Sequence, residues 1–353
     1  MAEAYPAFTP VNLITGFLGS GKTTLLQRLL ADPALADTAV LINEFGEIGL
    51  DHHLLERIDE RTVLLQSGCL CCTIRGELAD AIRDLHARRE RGAIPPFRRL
   101  VIESTGLADP FPILSTLHAE RVLKHHFRIG AIIATVDAVN ATRQLGAQPE
   151  TLKQIAAADR IVVTKGDLAG VSATGALRAE LARINPVATL VDAQAPQLDT
   201  AALLGIVADG AHAAQPHWLG AAGLFAEDAH AGHGHGALAY HNRSRHGDIV
   251  SVAIAFDTPL DWTAFGVWLT LLLHRHGEAV LRVKGILAVE GSDTPVAIHG
   301  VQHLVHAPVH MRAWPPGCEG QSRLVFIMRG IEPDALRRSM RAFGVVRGEA
   351  EAA

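Results

Sequence analysis

VNLITGFLGSGKTT, residues 11–24, sets the architecture expected of the whole chain. An apolar run leads into a glycine-rich loop, and the helical run TLLQRLL follows. Gly16 to Thr23 match G-x-x-x-x-G-K-[ST], and a strand before and a helix after are the context that gives this pattern its phosphate-binding meaning. Gly16, Gly19 and Gly21 let the backbone curl so that successive amides, with Ser20 and Thr24 beside them, face one anion at a helix N-terminus. Lys22 then reaches the β and γ phosphates, and the Thr23 hydroxyl is a ligand for Mg2+. A plain glycine-rich turn is the competing reading, and the flanks argue against it.

Outward from this loop, the runs AVLIN (39–43), RLVIES (99–104), GAIIATVD (130–137) and RIVVT (160–164) are short and strongly apolar, as parallel strands buried on both faces are. Helical patterns separate them. The fold class expected is α/β, a P-loop NTPase with a doubly wound, mainly parallel sheet over residues 1–195. Residues 196–247 turn to Ala, Gly, His and Pro and read as a linker. In 248–345, DIVSVAIAF, VLRVKGILAV and SRLVFIMRG read as strands and WTAFGVWLTLLLHRH and PDALRRSMRAF as helices, a smaller α+β domain, with 346–353 a tail.

Two further motifs follow the phosphate loop in order. Glu103 ends an apolar strand and Gly106 lies three residues on, an E-S-T-G version of the D-x-x-G switch: the acid can hold Mg2+, and the glycine amide can face a γ-phosphate. Thr164-Lys165-Gly166-Asp167 stands where N-K-x-D reads a guanine. The Asp167 carboxylate can accept the N1 and N2 protons and the Lys165 stem can lie over the ring, which points to GTP rather than ATP, although Thr replaces the expected Asn. Lys22, Thr23 and Glu103 are therefore the candidate catalytic groups. No glutamine stands beside Gly106 to orient water, so slow unaided turnover is expected.

Of four cysteines, Cys69, Cys71 and Cys72 crowd into one short loop, unlike a disulfide framework that joins distant segments. Three thiolates suit Zn2+, Co2+ or Cu+, and a fourth ligand must come from elsewhere. Glu44 and Glu47, in the segment NEFGEIGLD where a first switch loop belongs, are the acids placed to supply it. Cys69 and Cys72 also satisfy the redox spacing C-x-x-C. Cys318 reads as a surface-loop residue without a role. The six histidines at 217, 230, 233, 235, 241 and 246 are either a loose metal antenna or an inert solvated tract. Histidines 299, 303, 306 and 310 read as surface or strand residues.

The order GFLGSGKTT, NEFGEIGLD, GCLCC, ESTGLADP and TKGDL, followed by VLRVKGIL and HGVQHL, resembles the CobW family of P-loop GTPases, relatives of UreG and HypB, over nearly the whole chain. The resemblance implies GTP binding with weak hydrolysis, Zn2+ or Co2+ at the C-x-C-C motif, and delivery of metal to a client protein. A GTP-regulated metal buffer and an activator for a cobalt or iron enzyme or a cobalamin pathway are alternatives within it. A small-molecule kinase is the rival from another enzyme class.

Composition narrows the partners. The chain has 353 residues, 48% hydrophobic, with 32 Lys and Arg against 37 Asp and Glu, so a net charge of -5 offers no footprint for nucleic acid or an anionic membrane. MAEAYPAFTP lacks the basic and apolar regions of a secretory signal, and the expectation is a cytoplasmic protein.

Overall fold

The computed structural model describes residues 8–43, 63–67, 74–195, 198–204, 238–243 and 248–346. The chain divides into two compact units, Met1–Arg178 with Thr189–Gly210 and Ala179–Ala188 with Ala211–Ala353.

In the first unit, seven strands form one sheet: β1 Thr9–Gly16, β2 Thr38–Asn43, β3 Val63–Ser67, β4 Arg99–Glu103, β5 Phe127–Asp137, β6 Arg160–Thr164 and β7 Thr189–Asp192. Their order is β3-β2-β4-β1-β5-β6-β7 and every pairing is parallel. The helices are α1 Lys22–Leu30, α2 Ile74–Glu90, α3 Pro110–Ala119, α4 Arg121–His126, α5 Ala141–Ala147, α6 Pro149–Ala157, α7 Gly166–Ala169, α8 Val171–Ile184, whose residues from Ala179 on are counted with the second unit, and the short α9 Thr200–Leu203. The apolar strands are buried because helices need a surface to cover. Ile14, Val40, Val101, Ile133 and Val162 from five strands pack with Leu25, Leu26 and Leu29 of α1 in one core. Leu26 is fully buried, and such a leucine contributes about 1.5–3 kcal/mol relative to exposure.

Register brings the strand ends to one edge. Ile14 pairs with Glu103, Gly16 with Thr135, Asp137 with Thr164, Ile42 with Glu103 and Asn43 with Ser67. The loops leaving these carboxyl ends therefore start side by side, where open parallel sheets hold their ligands.

The second unit carries an antiparallel sheet of order β12-β11-β10-β14-β9-β8, with β13 beside β11. Its strands are β8 Leu238–Arg243, β9 Ile249–Phe256, β10 Val280–Leu287, β11 Val296–Val301, β12 Leu304–Val305, β13 Val309–His310 and β14 Ser322–Arg329. Helices α10 Trp262–His276 and α11 Pro333–Ala342 add Phe265, Trp268, Leu336 and Met340 to a core with Val252, Ile254, Val283 and Phe326. The indole N–H of Trp268 donates to Ser339 Oγ at 3.0 Å, so the buried ring keeps its one donor satisfied and ties the two helices together. Asp261 caps α10 by accepting from Ala264 N at 2.7 Å.

Two sequence expectations change. Leu238–Arg243, inside the stretch read as linker, is an edge strand laddered to β9 with Tyr240 opposite Ala253. An edge strand draws its order from backbone pairing with one neighbour and so needs little apolar alternation. Cys318, expected at the surface, is 3% exposed, and burial pushes its thiol pKa up. Among the described residues, no helix is long and apolar enough to cross a membrane.

Candidate functional site

The phosphate loop spans the turn from β1 to α1. Gly16 has φ of +142°, and a Cβ there would stand 2.3 Å from Thr135 Oγ1 and 2.5 Å from Thr135 O, so no side chain fits where β1 runs against β5. Ser20 N donates to Phe17 O at 3.1 Å and closes the turn. Gly19 and Gly21 also have positive φ, 72° and 90°, and Gly21 is the left-handed cap from which α1 starts. Beneath the loop, buried Ser20 shares a 2.6 Å hydroxyl hydrogen bond with Thr135, whose Oγ1 donates to Thr15 O at 3.3 Å. The loop is thereby fixed to the sheet before any ligand arrives, which lowers the ordering cost of binding.

Lys22 is 8% exposed and folds over the loop, donating to Gly16 O at 3.0 Å and Phe17 O at 3.2 Å. Its ammonium thus lies against the carbonyls that open the loop. One residue on, Thr23 Oγ1 donates to Glu103 Oε1 at 2.8 Å, while Thr24 is exposed on the next step of α1. The hydroxyl of the first helical turn and the buried carboxylate at the end of β4 are hard oxygen donors already side by side. This is the donor set Mg2+ takes from a protein when phosphates and water complete its octahedron. The residues present fit that ion: Thr23 and Glu103 would hold it, and bound there it would neutralise charge developing on the phosphates.

Gly106 is buried against the phosphate loop, and a Cβ on it would lie 2.5 Å from Leu18 N. Ser104 anchors the same segment, donating from its amide to Ile14 O at 2.9 Å and from its hydroxyl to Thr15 Oγ1 at 3.0 Å.

On the other side of β1, Thr164 explains its own departure from the expected asparagine. Its hydroxyl donates to Ser20 O at 2.8 Å and Val136 O at 3.3 Å, buttressing the phosphate loop. Lys165 takes a left-handed φ of 57° and its ammonium donates to Gly19 O and to Asp137 Oδ2, both at 2.8 Å. Asp167 is exposed in the first turn of α7, open to a ligand.

Asp137 was not singled out from sequence. It ends an apolar strand as Glu103 does, and that shared position was the signal available. Its side chain is 2% exposed and accepts from Lys165, from Asn140 Nδ2 at 2.9 Å and from Val139 N at 2.8 Å. Burial opposes its charge, but hydrogen bonds from Lys165, Asn140 and Val139 outweigh that and hold the carboxyl below its usual range.

The metal candidates Glu44, Glu47, Cys69, Cys71 and Cys72 lie outside the described residues, as do histidines 217, 230, 233, 235 and 246; His241 falls on β8. Among the described residues, no group of three or more His, Cys, Asp or Glu side chains could hold a metal ion.

A seven-stranded parallel sheet with a glycine-rich phosphate loop between its β1 and α1 defines a P-loop nucleotide-binding protein. Residues 10–192 match the CobW/HypB/UreG nucleotide-binding domain and residues 249–344 match the cobalamin synthesis protein cobW C-terminal domain, and the chain belongs to this family. It is 34% identical to the zinc chaperone YjiA of Escherichia coli over 301 residues, 84% of this chain and 87% of that protein. It is 29% identical to the zinc chaperone CobW of Pseudomonas aeruginosa over 368 residues, 94% of this chain and 90% of that one. The crystal structure of Zn(II)-bound YjiA GTPase from E. coli superimposes with a TM-score of 0.68 at 29% identity, covering 95% of this chain and 99% of that one.

Proposed function

We propose that this protein is a slowly turning GTP hydrolase and metallochaperone. It binds Zn2+, or Co2+, through Cys69, Cys71 and Cys72 with Glu44 or Glu47, and passes the metal to a client apo-protein under control of the bound nucleotide. The similarity to zinc chaperones supports the class. One observation of this structure supports a coupling between the two sites. Glu44 directly follows the end of β2 and Cys69 lies two residues beyond the end of β3, and these strand ends, Asn43 and Ser67, pair in register. Ile42, one residue earlier, pairs with Glu103 of the proposed Mg2+ site. The strand ends that precede the proposed metal ligands thus share one sheet edge with the phosphate loop, and in this reading an order change after β2 on γ-phosphate binding would alter the thiolate site.

GTP is held in this reading by the loop amides, Ser20, Lys22 and Thr24 on its phosphates and by Lys165 and Asp167 on its base. Lys22 offsets charge on the β and γ phosphates and the Gly106 amide meets the γ-phosphate. Competition with a chromophoric chelator tests the coupling, with Zn2+ or Co2+ and Mg2+ present, in GTP, in GDP and without nucleotide. A shift of at least about tenfold between nucleotide states, roughly 1.4 kcal/mol of coupling, is expected. Equal affinity in all three states would leave a GTPase with a passive cluster, and the chaperone reading would be abandoned.

A further inference from the structure

The loop carrying Gly106 is gripped from a second side by α6. Gln154 on that helix is 1% exposed, and its Nε2 donates to Ala108 O at 3.0 Å and to Gly106 O at 3.3 Å. Two carbonyl acceptors require the NH2 end of the amide to face the loop. Its Oε1 is left buried without a hydrogen-bond partner among the described residues. A methionine or leucine would fill this space without burying an idle acceptor, so packing alone does not account for an amide here. The preceding residue, Lys153, donates to Asp109 Oδ2 at 2.8 Å, and Asp109 Oδ1 caps α3 by accepting from Phe111 N at 3.0 Å. Gly106, opposite, lies against the backbone of Leu18 with no room for a methyl group. The 104–109 loop is therefore wedged between the phosphate loop and α6, held in its middle by Gln154 and at its end by Lys153.

We infer that Gln154 and Lys153 are positioning residues of the nucleotide switch: they set Gly106 where its amide meets a γ-phosphate, and so confer preference for triphosphate over diphosphate. The inference rests on the GTPase reading above. It assigns the two side chains no contact with nucleotide, so diphosphate binding, which needs the phosphate loop and the base readers alone, does not depend on them.

Gln154→Met removes the donor at similar volume, and Lys153→Met removes the ion pair at a part-exposed position. The measurements, on the full chain, are dissociation constants for GDP and for the β,γ-imido analogue of GTP with Mg2+, together with kcat and KM for GTP. In Gln154→Met, GDP affinity stays within about twofold, affinity for the triphosphate analogue falls about tenfold and kcat falls with it. In Lys153→Met the same ratio moves in the same direction by about threefold. Equal losses for both nucleotides would reduce Gln154 to a packing role, and unchanged affinities would remove it from the switch; either overturns the inference. If Gln154→Met does not fold, Lys153→Met decides, and an unmoved ratio there overturns it. A wild-type protein that binds neither nucleotide brings down the GTPase reading itself, an outcome distinct from a wild type that binds both while the variants keep its ratio.

Discussion

Replacing Gly106 with alanine places a methyl group 2.5 Å from Leu18 N and 2.7 Å from Leu18 Cα. Ordinary contact begins near 3.4 Å, so the two backbones must part by about 0.9 Å. Neither side yields easily. Leu18 belongs to the loop that cradles phosphate, and the carbonyl of Gly106 is held from behind by Gln154. Overpacking of this kind costs about 1–3 kcal/mol of stability. A displacement of about 1 Å at a group that must meet the transferring phosphate costs on the order of a hundredfold in rate. Urea unfolding with and without GDP reads the first quantity, and single-turnover GTP hydrolysis reads the second. Gly175→Ala is the control: it sits inside α8 with nothing within 4 Å of its Cβ, so alanine should stabilise by up to about 1 kcal/mol and leave hydrolysis unchanged. A Gly106→Ala protein with wild-type stability and hydrolysis would refute the placement of this loop against the phosphate cup.

Lys22→Ala should weaken both GDP and GTP by at least about a hundredfold, since a charge-assisted donor at the loop is lost, and isothermal titration with each nucleotide checks it. Asp137→Asn should cost about 1–3 kcal/mol by loosening the buried acceptor of Lys165, toward the low end because the Lys165 side chain is 38% exposed. Because the folded carboxyl titrates below its unfolded value near 3.9, its stabilisation is complete above that pH and is lost as pH falls through the folded value. The gap between wild type and Asp137→Asn in urea midpoints should therefore be constant at neutral pH and narrow in acid. Asp167→Asn presents a donor where guanine also donates, so GTP affinity should drop tenfold to a hundredfold, about 1–3 kcal/mol, while xanthosine triphosphate gains; competition binding with both nucleotides decides it.

The strands that frame the site were legible because burial on both faces writes them as unbroken apolar runs. β4 has every residue buried, and β1 leads straight into its glycines. Helix α10 was legible to the residue, between a capping Asp261 and Gly277. The motif residues were legible for the same reason in chemistry: Lys22, Thr23, Glu103 and Lys165 sit at fixed offsets from strand ends. Others are defined only by contacts across long sequence separations. Gln154 touches a loop 46 and 48 residues earlier, Lys165 reaches Asp137 28 residues back, and Thr164 bonds to Ser20 across 144 residues. No local spacing announces such partners. Reading Thr164 as a weakened asparagine missed its hydroxyl's part in holding the phosphate loop, and β8 was missed because an edge strand need not alternate.

Strand order bears on how nucleotide and metal could communicate. From β1 the sheet passes through β4 and β2 to β3, three steps of about 4.8 Å each, so the ends of β1 and β3 lie roughly 14 Å apart. That separation of strand ends is several times the length of a hydrogen bond. The intervening strands carry what lies between: Glu103, bonded to Thr23 on one side and in register with Ile42 on the other, and Glu44 and Glu47 just beyond β2. An ion held by Thr23 and Glu103 would stand one strand away from the end of β2, after which both acids follow in sequence. Electrostatics alone over 14 Å would be largely screened at physiological salt. In the proposed reading the coupling runs through ordering of the loop after β2, and its strength would be the difference in free energy between an acid that sits on the thiolate site and one that does not.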